Sequence, residues 1–232
     1  TKELLYGVTR SLIISNILNT SFDGIINSSA NYNVYSNNSI RGANQNGIGV
    51  YSGANNTFSG NNILHNSRGF YISSNTNYIS NNIFSNNSEG VMFSSATGIT
   101  FSNNLVSNNS NTGISISSSS NNYFYQNQID SNTYFGVFIQ GSSAADTFNY
   151  NNFIGTPINA DSFIYNTAAA NFDLQNNFWS TSDSAVILTK IRVISGGILL
   201  SAFKTAQIDT SPNADTAAPA IPTNVSVTAG IG

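Results

Sequence analysis

The sequence predicts an all-β chain, a right-handed single-stranded parallel β-helix of about eight rungs with a C-terminal cap. Three observations predict it: an Asn-x-apolar signature at near-constant spacing, a Gly-apolar-x-apolar signature between its copies, and no segment long enough for a crossover helix. The first signature begins at Asn16, Asn38, Asn62, Asn82, Asn104, Asn127, Asn152 and Asn177, at spacings of 22, 24, 20, 22, 23, 25 and 25 residues. A unit of that length cannot bury its own apolar face, so it must stack on its neighbours.

Within each unit the second signature follows, as in Gly47-Ile48-Gly49-Val50, Gly69-Phe70-Tyr71-Ile72, Gly90-Val91-Met92-Phe93 and Gly136-Val137-Phe138-Ile139. It reads as a turn residue feeding a short strand whose alternate side chains point inward. A third apolar pair, such as Tyr78-Ile79 or Tyr123-Phe124, precedes the next Asn. Three short strands per turn, each paired in parallel with its copy one turn later, give a coil rising about 4.8 Å per rung, or roughly 35 Å for eight rungs. The recurring Asn then forms an internal ladder, because a side-chain amide carries donors and an acceptor that can satisfy both a stacked copy and the turn backbone. Asn109 reads instead as a solvated turn residue.

Composition narrows the function classes. Only 7% of the 232 residues are charged, with seven Lys plus Arg against ten Asp plus Glu, so no basic surface awaits a phosphate backbone and nucleic acid is not an expected partner. No apolar stretch is long enough for a membrane span, and the start Thr1-Lys2-Glu3 lacks a signal-like design, so any signal peptide is expected to have been removed. With no cysteine there are no disulfides or thiolate metal sites, and no cofactor or metal is expected.

These residues resemble the parallel β-helix repeat proteins of the NosD-like and pectate-lyase-like superfamily, from Asn16 to Trp179. The segment from Asn176-Asn177-Phe178-Trp179-Ser180 through Asp183 to Lys190-Ile191 is similar to that superfamily's closing element, with Ser180 and Ser184 where Gly and Pro are usual. The resemblance implies a closing role for this segment, and its own residues read as a short helix capped by Ser182 or Asp183 and ending near Ile191, then strands at 192–194 and 198–203. It implies little about activity, because the superfamily holds lyases, hydrolases, epimerases, adhesins and surface proteins. The expected organisation is a β-helix with its closing element over 1–210. A Pro-, Ala- and Thr-rich linker over 211–232 follows, either a bare extension or the start of a truncated fibronectin type III domain.

Four groups of residues are candidates for function. His65, Arg68 and Glu89 could form an acid/base site, or a solvated turn beside a surface ion pair. The row carrying Tyr71, Met92 and Phe138 points outward and reads as a ledge on which sugar rings stack. Ile63, Ile83 and Leu105 read as an outward apolar stripe suited to a protein interface, or as a row turned inward by a bend. The Asn ladder reads as purely structural. The expected function is that of an extracellular or cell-surface module: a rigid stalk, adhesin or carbohydrate-binding domain whose partners are polysaccharide, cell-surface components or copies of itself. The alternatives are a polysaccharide lyase, epimerase or hydrolase, and a self-assembling subunit of a filament or layer; the sparse charges lean away from an enzyme.

Overall fold

The computed structural model describes residues 3–155, 162–200 and 202–210, so the linker expected over 211–232 lies outside the described residues. Its strands form three nine-stranded parallel sheets that wind around one core. Sheet 1 holds the longest strands, among them Asn46–Val50, Arg68–Ile72, Glu89–Ser94, Thr112–Ser117, Phe135–Gln140 and Ser162–Asn166. Sheet 2 contains the three-residue strands Val34–Ser36, Thr57–Ser59, Tyr78–Ser80, Thr100–Ser102, Tyr123–Tyr125 and Thr147–Asn149. Sheet 3 contains Ser39–Arg41, Asn62–Leu64, Ile83–Ser85, Leu105–Ser107, Gln128–Asp130 and Asn152–Ile154. Successive strands belong to successive sheets, so every neighbour within a sheet is the copy one turn away.

Strand alternation sends one row per sheet inward. Sheet 2 contributes Tyr35, Phe58, Ile79, Phe101, Phe124 and Phe148, sheet 3 Ile40, Ile63, Phe84, Val106, Ile129 and Phe153, all buried. Because each rung repeats the one before, aromatic rings stack face to face along the axis: Tyr35 on Phe58 at 4.5 Å, Phe124 on Phe148 at 4.3 Å and Phe153 on Trp179 at 4.3 Å. Such pairs add about 0.5–1.5 kcal/mol each beyond the area they bury.

The corner between sheets 2 and 3 carries the main amide ladder. It runs Asn16, Asn38, Asn61, Asn82, Asn104, Asn127, Asn151, Asn177, each Nδ2 donating to the next Oδ1 at 2.9–3.1 Å. The same Oδ1 also accepts the preceding rung's backbone N–H, as from Asn82 to Asn104 and from Asn104 to Asn127. The expected Asn62 and Asn152 are thereby corrected to Asn61 and Asn151. In both rungs two adjacent Asn precede the inward Ile63 or Phe153, and the amide two residues before that apolar side chain takes the corner. The residue before the ladder is left-handed in every rung, for example Asn37 (φ 54°), Gly60 (φ 65°), Asn81 (φ 59°) and Asn103 (φ 54°). Asn is among the few residues with a Cβ that enter this region readily, which accounts for the amides before the ladder.

Two further ladders occupy the other corners. One runs Asn66, Asn87, Asn109, Asn132, so Asn109 is a fully buried ladder member rather than the solvated turn residue its sequence suggests. The other runs Asn33, Asn56, Asn77, breaks at Ile99, and resumes as Asn122 and Asp146. The signature glycines serve a purpose other than the turn expected of them. Gly69 lacks positive φ, but a Cβ on it would lie 2.5 Å from the carbonyl oxygen of Gly90, so the close approach of successive rungs excludes any side chain there.

The apolar stripe is shorter than its sequence suggests. Ile63 is fully buried, because the outward position on its strand belongs to Asn62, which lies in register with Ser39 and Ile83. Ile83 is 39% exposed and Leu105 half-buried, and they pair in register between the polar Asn62 and Gln128. The rod closes at its C-terminal end with the helix Ser184–Thr189, whose N-cap Asp183 accepts the N–H groups of Ala185 and Val186. The strand Ile191–Val193 follows the helix, and Gly197–Leu199 and Phe203–Lys204 complete the last turn.

Asp146 is the anomaly in the ladders. Its Oδ1 accepts two bonds from Asn122, while its buried Oδ2 has no partner. It stands where Asn33, Asn56 and Asn122 each donate to a backbone carbonyl, something an ionised carboxylate cannot do. Burial pushes its pKa from 3.8 up to about 7, against the two Asn122 bonds.

Asn104→Ala and Asn109→Ala should each cost about 1–3 kcal/mol, because their ladder neighbours lose buried partners, whereas the exposed Ser110→Ala should stay within about 0.5; denaturant midpoints measure it. Ile63→Lys should unfold the chain while Ile83→Lys leaves its circular dichroism and thermal midpoint nearly unchanged. For Asp146 the folded state binds the proton more tightly than the unfolded chain does. Its penalty is therefore absent below about pH 4, grows as pH rises, and is complete above about pH 7. Asp146→Asn should raise the thermal midpoint by several degrees at pH 8 and hardly move it at pH 4.

Candidate functional site: the outer face of sheet 1

The long strands of sheet 1 present two outward rows. The first is a register row from Asn46 through Arg68 to Glu89, continued by Thr112 and Phe135 on later rungs. The second runs Ile26, Gly49, Tyr71, Met92, Ser115, Phe138, Tyr165, Arg192 without a break. Tyr71, Met92 and Phe138 are all half-buried on this one line. From Tyr71 to Tyr165 is four rungs, or about 19 Å.

At one end of the ledge the polar groups are linked. Arg68 Nε donates to Glu89 Oε2 at 2.6 Å and its second arm donates to Asn46 Oδ1 at 3.2 Å. Asn46 donates through N and Nδ2 to Asp23 Oδ1 and through Nδ2 to the Tyr51 hydroxyl at 3.0 Å. The Arg68 guanidinium lies over the Tyr71 ring at 5.4 Å, and Tyr51 leans against Tyr71 at the same centroid distance. Burial, followed by the negative charge of Asp23, raises the Tyr51 phenol above its ordinary pKa, so it stays a neutral donor. A cleft of about 370 Å³ opens here, lined by Asn44, Gln45, Asn46, Tyr51, Ser67, Arg68 and Tyr71. The Arg68–Glu89 pair is partly exposed and contributes at most about 1 kcal/mol. Its effect is to hold both side chains as fixed hydrogen-bonding groups beside an aromatic floor.

At the other end Phe138 stacks on Tyr165 at 5.3 Å and 11°, Phe135 packs against both, and the Arg192 guanidinium lies 5.0 Å over the Tyr165 ring. Sequence reasoning missed Tyr51, Phe135 and Tyr165. Tyr51 lies one residue beyond its strand, and Tyr165 follows one of the two longest intervals along its row, where counting loses register. Phe135 was visible as the residue before Gly136, a column that at Arg68 and Glu89 already pointed outward.

The structure does not bring His65 to this face. His65 sits in the corner after the strand Asn62–Leu64 and lines a separate cleft of about 640 Å³ with Asn19, Thr20, Ser21, Phe22, Arg41 and Gly42. The two clefts share no lining residue. The joint acid/base group of His65, Arg68 and Glu89 is therefore corrected to an ion pair on sheet 1 and a histidine at a corner. Asp23 is buried, with its Oδ1 accepting from Asn46 N and Nδ2. Among the described residues no group of three or more His, Cys, Asp or Glu could hold a metal ion, and no helix is long and apolar enough to cross a membrane.

The three-sheet coil with one continuous outer face defines the class. The chain belongs to the family described as the right handed beta helix region, which it matches over residues 25–179. No curated protein matches it. Among solved structures it is similar to a double mutant of the periplasmic alginate epimerase AlgG, with a TM-score of 0.69 and 17% identity over 84% of this chain and 50% of that one. The A-module of the Azotobacter vinelandii mannuronan C-5 epimerase AlgE6 gives a TM-score of 0.60 and 13% identity over 86% and 59%. The A-module of AlgE4 gives 0.60 and 16% over 85% and 58%. The chain thus spans half to three fifths of these relatives, and at such identities the likeness shows the fold.

Proposed function

We propose that the protein is an extracellular or cell-surface β-helix module that binds a polysaccharide chain lengthwise along the outer face of sheet 1. The observation that carries this reading is the unbroken register of the row from Tyr71 to Tyr165, with aromatic rings at both ends and a flat stretch at Met92 and Ser115 between them. Sugar rings present apolar faces to aromatics and hydroxyls to amides, which is the mixture that Tyr51, Tyr71, Asn44 and Gln45 offer. The similarity to alginate and mannuronan epimerases supports a polysaccharide as the ligand. A rod whose backbone hydrogen bonds run between rungs holds the ledge rigid, so little ordering entropy is spent on binding.

The test is binding to a panel of alginate and neutral glucans by affinity electrophoresis or calorimetry, with product formation followed in the same samples. Tyr71→Ala and Phe138→Ala should each weaken binding several-fold while the thermal midpoint moves by less than about 3 °C, since outward side chains add little to the core. Unchanged affinity in both variants refutes the ledge. Turnover of alginate that Glu89→Ala abolishes would replace the binding module with an enzyme.

A further inference from the structure

We infer that the corner cleft around Gly42 is a second binding site, for a phosphate or sulfate ester carried on a saccharide. The cleft lies where chain leaves sheet 3 for sheet 1, and its column of corner residues reads Thr20, Gly42, His65, Asn86, Asn108, Ser131, Gly155 along the rod. From Gly42 onward the column is left-handed, with His65 at φ 55° where the next rungs use Asn86 and Asn108 at φ 54°. Gly42 (φ +80°) forms the floor. A Cβ on it would lie 3.0 Å from the Thr20 carbonyl oxygen, so a side chain there would crowd the rung before.

The groups around that floor are donors. Arg41 is exposed, stands outward in the row Asn19, Arg41, Leu64, and takes no part in the ion pair found among the described residues, which joins Arg68 to Glu89. His65 is exposed on the next rung, and the Ser21 hydroxyl lies on the rung before. No Asp or Glu lines the cleft. The nearby Asp23 is buried, and its Oδ1 accepts from Asn46. In a chain with only seven Lys and Arg, an exposed guanidinium in a cavity lined by no acid is a local source of positive potential, and the imidazole adds a hydrogen-bonding group beside it.

The geometry selects the ligand class. Ser21, Arg41 and His65 line the cleft from three successive rungs, a spread that suits the several oxygens of a tetrahedral ester better than a flat carboxylate met by one fork. Phe22, 61% exposed, forms an apolar wall, and its loop is fixed because Thr20 Oγ1 donates to the Asp23 carbonyl and accepts the Phe22 N–H. A cleft of about 640 Å³ has room for a sugar ring against Phe22 with its ester between Arg41 and His65.

The experiment compares a sulfated disaccharide, its phosphorylated counterpart and the unmodified parent by NMR titration of the full chain, with inorganic phosphate as competitor. At least one ester should bind saturably and at least tenfold more tightly than the parent, shifting resonances of Gly42 and Phe22, and phosphate should displace it. Arg41→Gln and His65→Asn, which keep an exposed polar side chain and a residue suited to φ 55°, should each lower affinity at least fivefold. Arg10→Gln, on a different corner, and Tyr71→Ala, on the ledge, should leave it unchanged. Equal losses with Arg10→Gln would reduce the effect to diffuse charge attraction and overturn the site, as would wild-type affinity in Arg41→Gln and His65→Asn, or no preference for either ester. The Tyr71→Ala arm keeps this outcome separate from that of the ledge.

Discussion

Everything in this molecule depends on one recurring interaction: a side-chain amide at a corner that bonds upward to its copy, sideways to backbone, and accepts an N–H from below. A coil of three-residue strands must turn sharply three times per rung, and each turn leaves peptide groups that no strand can satisfy. Asn104 shows the solution, since it donates to Asn127 and to the Ile79 carbonyl while accepting both the N–H and the Nδ2 of Asn82. Three such ladders, not one, hold the three corners.

The left-handed corner residues are the other half of that interaction. Twenty-one described residues with a Cβ have positive φ, an abundance that would be costly in an ordinary domain but is here offset by cross-rung bonds at each corner. Composition follows from it. A chain built around such corners is rich in Asn, Ser and Gly and poor in charge, and its surface is a set of flat rows rather than a field of ion pairs. A charged group that enters the ladder, as Asp146 does, is forced toward its neutral form.

Flat rows are also what make the outer face of sheet 1 suited to a long ligand. Parallel pairing at constant register carries a side chain forward by one rung at a time, so residues more than twenty positions apart in sequence become neighbours on a line. Tyr71, Met92 and Phe138 are arranged by that rule alone. The corner cleft belongs to a different part of the coil, the turn from sheet 3 to sheet 1 around Gly42.

The sequence by itself determined the coil, the three-strand rung, the alternation of inward and outward residues, the outward row of Tyr71, Met92 and Phe138 and a closing helix capped by Ser182 or Asp183, because each repeats at a period or carries its own capping signal. Tertiary structure decided what periodicity leaves degenerate. Two adjacent amides at Asn61-Asn62 and Asn151-Asn152 satisfy the same pattern, and only the direction of Ile63 and Phe153 into the core picks the first of each pair. That one-residue choice also buried Ile63 and cut the apolar stripe to Ile83 and Leu105. Asn109 looked like a turn because the ladder bonds that define it come from Asn87 and Asn132, more than twenty residues away. His65 and Arg68 are three residues apart, yet a sharp left-handed corner stands between them and turns their side chains onto different faces of the rod; a dihedral of that kind is set by the stacking of whole rungs.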